Sequence, residues 1–169
     1  RRLFIHLGYD VTFVSNYTDV DDKIIKRAKE LGISEKELTE GVIAEYARLV
    51  DQIGALQPDE KPRPTVYMPE IIKYVGDLVE KGAAYVVDGD VYLKVRDIPG
   101  YGELSGNTID SLESGARIDV NDKKKDPLDF ALWKKTSDGI QWDSPWSKGR
   151  PGWHTECCVM IDSLFRKQN

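Results

Sequence analysis

Long apolar runs, separated cysteine pairs and compositional bias are all missing from this 169-residue chain, and each absence removes a class of protein. No stretch approaches 18 uninterrupted apolar residues, the length a bilayer-spanning helix needs. The opening RRLFIHLGYD lacks the apolar core and small-residue cleavage site of a secretory leader. Membrane insertion and secretion are therefore disfavoured, although an N-terminus cut from a longer chain would hide a leader. The only two cysteines, Cys157 and Cys158, are adjacent and poorly placed for an ordinary disulfide, which points to a reducing compartment, the cytoplasm. Proline, glycine and like charge are not in excess, so disorder, collagen and coiled coil are excluded in favour of a soluble globular protein. Charge is slightly acidic: 24 Lys plus Arg against 29 Asp plus Glu gives −5. Broad, nonspecific nucleic-acid coating is disfavoured, while a local basic patch can still meet an RNA backbone. Walker loop, G-x-G-x-x-G, G-x-S-x-G and internal repeats are absent.

What is present reads as alternating elements. The length suits one full domain or parts of two, burying roughly 70% of the unfolded surface. RRLFIHL followed by Gly8 reads as the end of a helix. Tyr9 to Ser15 is a short β-rich run, Asn16-Tyr17-Thr18-Asp19 breaks it, and DDKIIKRAKEL follows as a helix stopped by Gly32. Asp19, Asp21 and Asp22 crowd that helix start, where carboxylates cap free amides and suit the dipole. Ser34 with Glu37 has capping-box spacing and opens a second helix, whose Leu38, Val42, Tyr46, Leu49 and Ile53 form one stripe. Three prolines within Gln57 to Pro64 mark a domain junction. Pro69 opens a third helix, with Ile71, Ile72, Val75, Leu78 and Val79 inward and Gly82 as its stop. The period then becomes two, with Ala84 to Val87 and Val91 to Val95 joined by a turn at Asp88-Gly89-Asp90. Asp129 to Lys134 reads as another strand, and the closing SPWSKGRPGWHTECCVMIDSL begins as a loop and turns helical near Thr155.

Three places carry possible chemistry. A polar residue beyond a strand of an open α/β sheet, such as Thr18, is placed to touch a ligand, though Thr18 and Asp19 could equally just make the turn and cap the helix. The stretch His154 to Cys158 offers imidazole, carboxylate and thiolate, all usable by zinc, but supplies no second half of a four-ligand site; buried free thiols are the plainer alternative. If Thr155 onward is helical, His154 and Cys157 share a face and Cys158 points elsewhere. Lys123-Lys124-Lys125 could greet phosphates, or simply be solvated.

Several phrases in order, NYTDVDDKIIKRA, GDVYLKV with YGELSG, KKDPLDFALWK and SPWSKGRPGWHTEC, resemble the cysteinyl-tRNA synthetases, a class I aminoacyl-tRNA synthetase family. The resemblance runs from residue 1 to about residue 164. It implies an α/β fold, part of a Rossmann-type class I synthetase catalytic domain with an inserted α+β connective-peptide module. The implied division is 1–62 and 148–169 for the catalytic domain and 63–147 for the insertion. The implied activity is ATP-dependent formation of cysteinyl-adenylate and transfer of the cysteinyl group to tRNA(Cys), with ATP used with Mg2+ and one zinc binding the substrate thiolate. No membrane or DNA partner is implied.

Residue by residue, the resemblance makes Cys157 a zinc ligand, Trp153 a wall of the cysteine pocket and Thr18 a contact to the amino acid. It gives no catalytic residue. A soft thiolate is a far better zinc ligand than a neutral hydroxyl, and size alone separates cysteine from serine weakly. The family's H-I-G-H motif and an earlier zinc cysteine are expected before Arg1, and a His and a Glu completing the metal site, the K-M-S-K-S loop and the tRNA-binding region after residue 164. The expectation is thus an internal fragment, inactive alone and with an incomplete zinc site. Thr155 and Cys158 replace the usual isoleucine and serine, leaving Cys158 a stray thiol or a substitute ligand. The rival readings are a cysteine ligase acting on an amino sugar and a noncatalytic RNA- or protein-binding remnant.

Overall fold

The computed structural model describes residues 1–106, 108 and 123–166. The chain forms two compact units, one of residues up to Tyr67 together with those from Met160 on, the other spanning Met68–Val159. No helix among the described residues is long and apolar enough to cross a membrane.

The first unit is helical. Helix α1, Arg2–His6, is followed by Gly8 in the left-handed region, and α2, Asp22–Leu31, ends at Gly32 in the same conformation. Asp21 caps α2 by accepting from the Lys23 N–H at 2.8 Å. Ser34 caps α3, Glu35–Gln52, accepting from the Glu37 N–H at 3.1 Å as its spacing predicts. The packed face of α2 is Ile25 and Ala28.

The expected strand over Tyr9–Ser15 contracts to a parallel bridge between Val14 and Glu60, extended by Ser15 N–H to Glu60 O and Tyr17 N–H to Pro62 O. The neighbouring segment carries Pro58, Pro62 and Pro64, which have no N–H to donate, so a longer ladder cannot form. Asp59 reinforces the pairing by accepting from the Phe13 N–H at 2.7 Å while pairing with Arg1. The α3 stripe is a second correction. Val42, Tyr46, Leu49 and Ile53 are exposed, Ile53 by 79%, with only the Tyr17 ring seen packing against the stripe, at Tyr46.

The second unit is an antiparallel sheet packed against one helix, α4, Met68–Glu80. Of its predicted inward residues, Ile71 and Val75 are fully buried and Ile72, Leu78 and Val79 partly so. Strands β1 (Ala84–Val87), β2 (Asp90–Leu93), β3 (Phe130–Lys135) and β4 (Gly149–Pro151) follow in that spatial order, every pair antiparallel. The β1–β2 hairpin has Asp88 at φ 52° and Gly89 at φ 91°, the left-handed pair of a tight hairpin turn.

β4 escapes sequence patterning because Gly-Arg-Pro has no strand propensity; it is defined by close approach. A Cβ on Gly149 would lie 2.2 Å from the Lys134 carbonyl oxygen, and one on Gly152 only 1.7 Å from that of Ala131. Only glycine lets this segment lie against β3, and Gly152 seals the contact by donating its N–H to Leu132 O at 2.9 Å. Trp133, wholly buried, packs edge-on against Trp146 at 5.9 Å.

A buried polar knot fixes the loop before β3. The Asp129 carboxylate accepts from the Tyr85 hydroxyl at 2.6 Å and from the N–H groups of Val95 and Asp126, each at 3.2 Å. The Tyr85 oxygen in turn accepts from the Lys125 N–H at 2.7 Å. Burial, with the Asp129 hydrogen bond second, pushes the Tyr85 hydroxyl up to about 12. Lys123 and Lys125 are exposed, Lys123 pairing with Asp90 at 3.0 Å and Lys125 sitting over the Tyr85 ring at 4.7 Å. Helix α5, Thr155–Phe165, begins at the predicted residue.

Candidate functional site

Thr18 belongs to the first unit, Trp153 and Cys157 to the second. Each is placed by different local causes.

Thr18 is exposed on the loop between the Val14 bridge and α2. That loop is held from below by Asp19, which does not cap α2. Its carboxylate, 7% exposed, accepts from the Thr65 hydroxyl at 2.5 Å and the Thr65 N–H at 3.2 Å. Asn16 donates to the Thr18 hydroxyl at 3.4 Å. A cavity of about 270 Å³ opens beside these residues, lined by Asn16, Tyr17 and Thr18 and by Val42, Ile43 and Tyr46 of α3. Tyr17 packs edge-on against Tyr46 at 5.9 Å. Thr18 is thus an exposed residue lining a small cavity of mixed polar and apolar character.

Trp153 follows the pinned Gly152 and is 66% exposed, its ring stacked on His154 at 4.2 Å. His154 has φ 72°, an uncommon conformation for a residue with a Cβ. Because His154 stands outside the helix in this conformation, the helical spacing rule does not apply to it. The expectation that Cys158 points away from His154 is corrected: His154, Thr155 and Cys158 line one cavity.

Cys157 is half-buried and free, and Cys158 is exposed and free. Burial, then Glu156 and Cys158 beside it, push the Cys157 thiol above its ordinary range. It is therefore protonated near neutrality and no ready nucleophile. Among the described residues no three His, Cys, Asp or Glu side chains gather as a metal would require. These residues by themselves do not fit a zinc centre, and Cys157 supplies at most one corner of one.

The family model described as the catalytic domain of class I (C) tRNA synthetases matches residues 1–169. The chain belongs to the class I tRNA synthetase catalytic-domain family. It is 53% identical over 161 residues to a cysteine–tRNA ligase of Pelotomaculum thermopropionicum, covering 95% of this chain and 33% of that protein. Cysteine–tRNA ligases of Lysinibacillus sphaericus (55% over 161 residues, 95% and 34%) and Pseudothermotoga lettingae (51% over 166 residues, 98% and 36%) are similarly close. The chain spans about a third of the length of these curated relatives.

Within this synthetase segment, two residues matter more than the sequence shows. Asp19 reads as a helix-start charge and proves to anchor the Thr18 loop to Thr65. Asp129 reads as a strand residue and proves to be the acceptor around which the D-P-L-D-F phrase folds. A carboxylate flanked by Leu128 and Phe130 is the available signal, since a buried charge requires several donors.

Proposed function

We propose that this chain is a segment of a cysteine–tRNA ligase. The complete enzyme activates cysteine with ATP, used with Mg2+, to cysteinyl-adenylate and passes the cysteinyl group to the 3′-terminal adenosine of tRNA(Cys). The observation that carries the reading is identity of 51–55% along 95–98% of the chain to proteins named for that activity. Residues 1–62 and 148–169 are assigned to a Rossmann-type catalytic domain and 63–147 to its connective peptide. The enzyme works in the cytoplasm, in keeping with two free cysteines.

Thr18 is assigned to the amino-acid substrate, supported by its exposed hydroxyl beside a small cavity. Trp153 is assigned as a wall of the cysteine pocket, supported by its exposure at the end of the pinned G-R-P-G segment. Cys157 is assigned as one zinc ligand, the remaining ligands lying outside the described residues. The 169 residues contain neither H-I-G-H nor K-M-S-K-S, so the chain alone does not perform the reaction.

Cysteine-dependent exchange of pyrophosphate into ATP tests this reading. A full-length ligase carrying this segment should show it, and Thr18→Ala or Trp153→Ala should raise KM for cysteine about tenfold, the loss of roughly one hydrogen bond or ring contact, with KM for ATP unchanged. The 169-residue chain alone should show none. Exchange by the isolated chain, or full-length variants with unaltered KM for cysteine, would overturn the assignment.

A further inference from the structure

Thr18 does little to hold itself in place. Its side chain is exposed, and the hydrogen bond seen at its hydroxyl is a long one from Asn16, at 3.4 Å. Its two chain neighbours are the fixed points. Tyr17 donates its N–H to Pro62 O at 3.0 Å and sets its ring edge-on against Tyr46 of α3 at 5.9 Å. Asp19, 7% exposed, accepts from the Thr65 hydroxyl at 2.5 Å and the Thr65 N–H at 3.2 Å. A carboxylate buried to this degree loses hydration, which these two converging donors offset.

Both backbone and side-chain anchors land on one short segment, Glu60 to Thr65, which also accepts the Ser15 N–H at Glu60 O, 3.1 Å away. The same segment reaches α3, where Arg63 pairs with Glu40. Glu40 first, with Asp19 and Tyr17 adding to it, raises the Arg63 guanidinium above its ordinary range, so carboxylates of the loop and of the helix face one cation. The cavity beside Thr18 has Asn16, Tyr17 and Thr18 on one side and Val42, Ile43 and Tyr46 of α3 on the other. The segment from Glu60 to Thr65 therefore ties together both walls of that cavity.

We propose that Asp19 and Thr65 are positioning residues for recognition of the amino-acid substrate: their hydrogen bonds hold Thr18 at the cavity without touching the substrate themselves. The inference rests on the assignment of Thr18 to the amino acid. A substrate contact misplaced by a change elsewhere loses its effect much as if it were deleted, so loosening the Asp19–Thr65 pair should act on cysteine and spare ATP.

The test is cysteine-dependent exchange of pyrophosphate into ATP by a full-length ligase carrying this segment, with KM measured separately for cysteine and ATP. Thr65→Val keeps the shape and removes one donor to Asp19; it should raise KM for cysteine ~5-fold and leave KM for ATP within ~2-fold. Thr65→Ser, which keeps the hydroxyl, should stay within ~2-fold of the unaltered enzyme for both. The deciding readout is coupling: in a Thr18→Ala background, Thr65→Val should add less than ~2-fold to KM for cysteine, because its effect passes through Thr18. General damage to the fold would act in both backgrounds and on ATP as well. Should Thr65→Val fail to fold, Asp19→Asn, of the same shape, is held to the same thresholds. Unaltered KM for cysteine in Thr18→Ala would overturn the Thr18 assignment and the positioning role with it. If Thr18→Ala does raise that KM, three results would overturn the positioning role alone: no effect of loosening the pair, an equal effect on ATP, or full additivity with Thr18→Ala.

Discussion

Tyr85 and Asp129 show how a single buried hydroxyl can organise a loop. The hydroxyl donates to the carboxylate and accepts from the Lys125 N–H, so its ionisation would set two negative charges 2.6 Å apart. Burial first, and this Asp129 hydrogen bond second, hold the Tyr85 proton to about pH 12, above its ordinary value of 10. A group whose value is raised on folding stabilises the fold fully below its unfolded value and loses that contribution as pH rises through the folded one. The stability loss is therefore expected between pH 10 and about 12. Tyrosinate absorbance should show a late component near pH 12 that Tyr85→Phe removes. The same variant should destabilise the second unit by about 1–3 kcal/mol in urea unfolding at pH 7, since Asp129 is left with one donor fewer. An unchanged high-pH titration in Tyr85→Phe would contradict this account. Gly152 makes the complementary case for shape: a methyl there meets the Ala131 carbonyl oxygen at 1.7 Å. Gly152→Ala should cost about 1–3 kcal/mol or more and displace Trp153, measurable as a shift in its fluorescence.

At the scale of elements, what could be read from the sequence is what local chemistry decides. The Ser34 cap, the α2 stop at Gly32 and the Asp88-Gly89 hairpin follow from capping and turn preferences and stand where those preferences put them. Ser34→Ala should lower the stability of the first unit by about 1 kcal/mol in thermal or urea unfolding, and no change would remove the cap from the account. What could not be read is set by neighbours distant in sequence. β4 has no strand composition and exists because two glycines let it approach β3. Asp19 looks like one helix-start carboxylate among three until Thr65 arrives. The stripe on α3 has correct helical spacing, yet spacing tells only that a face is apolar, and Val42, Tyr46, Leu49 and Ile53 are exposed. The roles proposed for Thr18, Trp153 and Cys157 rest on resemblance, because a threonine after a strand and a thiol in a helix have many ordinary uses.

At the scale of the whole molecule, membership of the class I tRNA synthetase family accounts for the order of the phrases and for a chain that aligns along nearly its full length with a third of each relative. In the proposed cysteine–tRNA ligase, selecting cysteine is the task that would link Thr18, Trp153 and Cys157, and Cys157 is the one to which the proposal assigns metal chemistry. Its thiol is raised above the usual range among the described residues, and no ligand set gathers around it there. The isolated chain should accordingly hold zinc weakly at most, and stoichiometric tight zinc on it would refute the assignment of the other ligands elsewhere. The most direct measurement is zinc content together with kcat/KM for cysteine in a full-length ligase bearing Cys157→Ser. The account predicts loss of the metal and a fall in kcat/KM for cysteine of ~100-fold or more, the hydroxyl being a poor zinc ligand. A variant that keeps its zinc and turns over cysteine like the unaltered enzyme would contradict it.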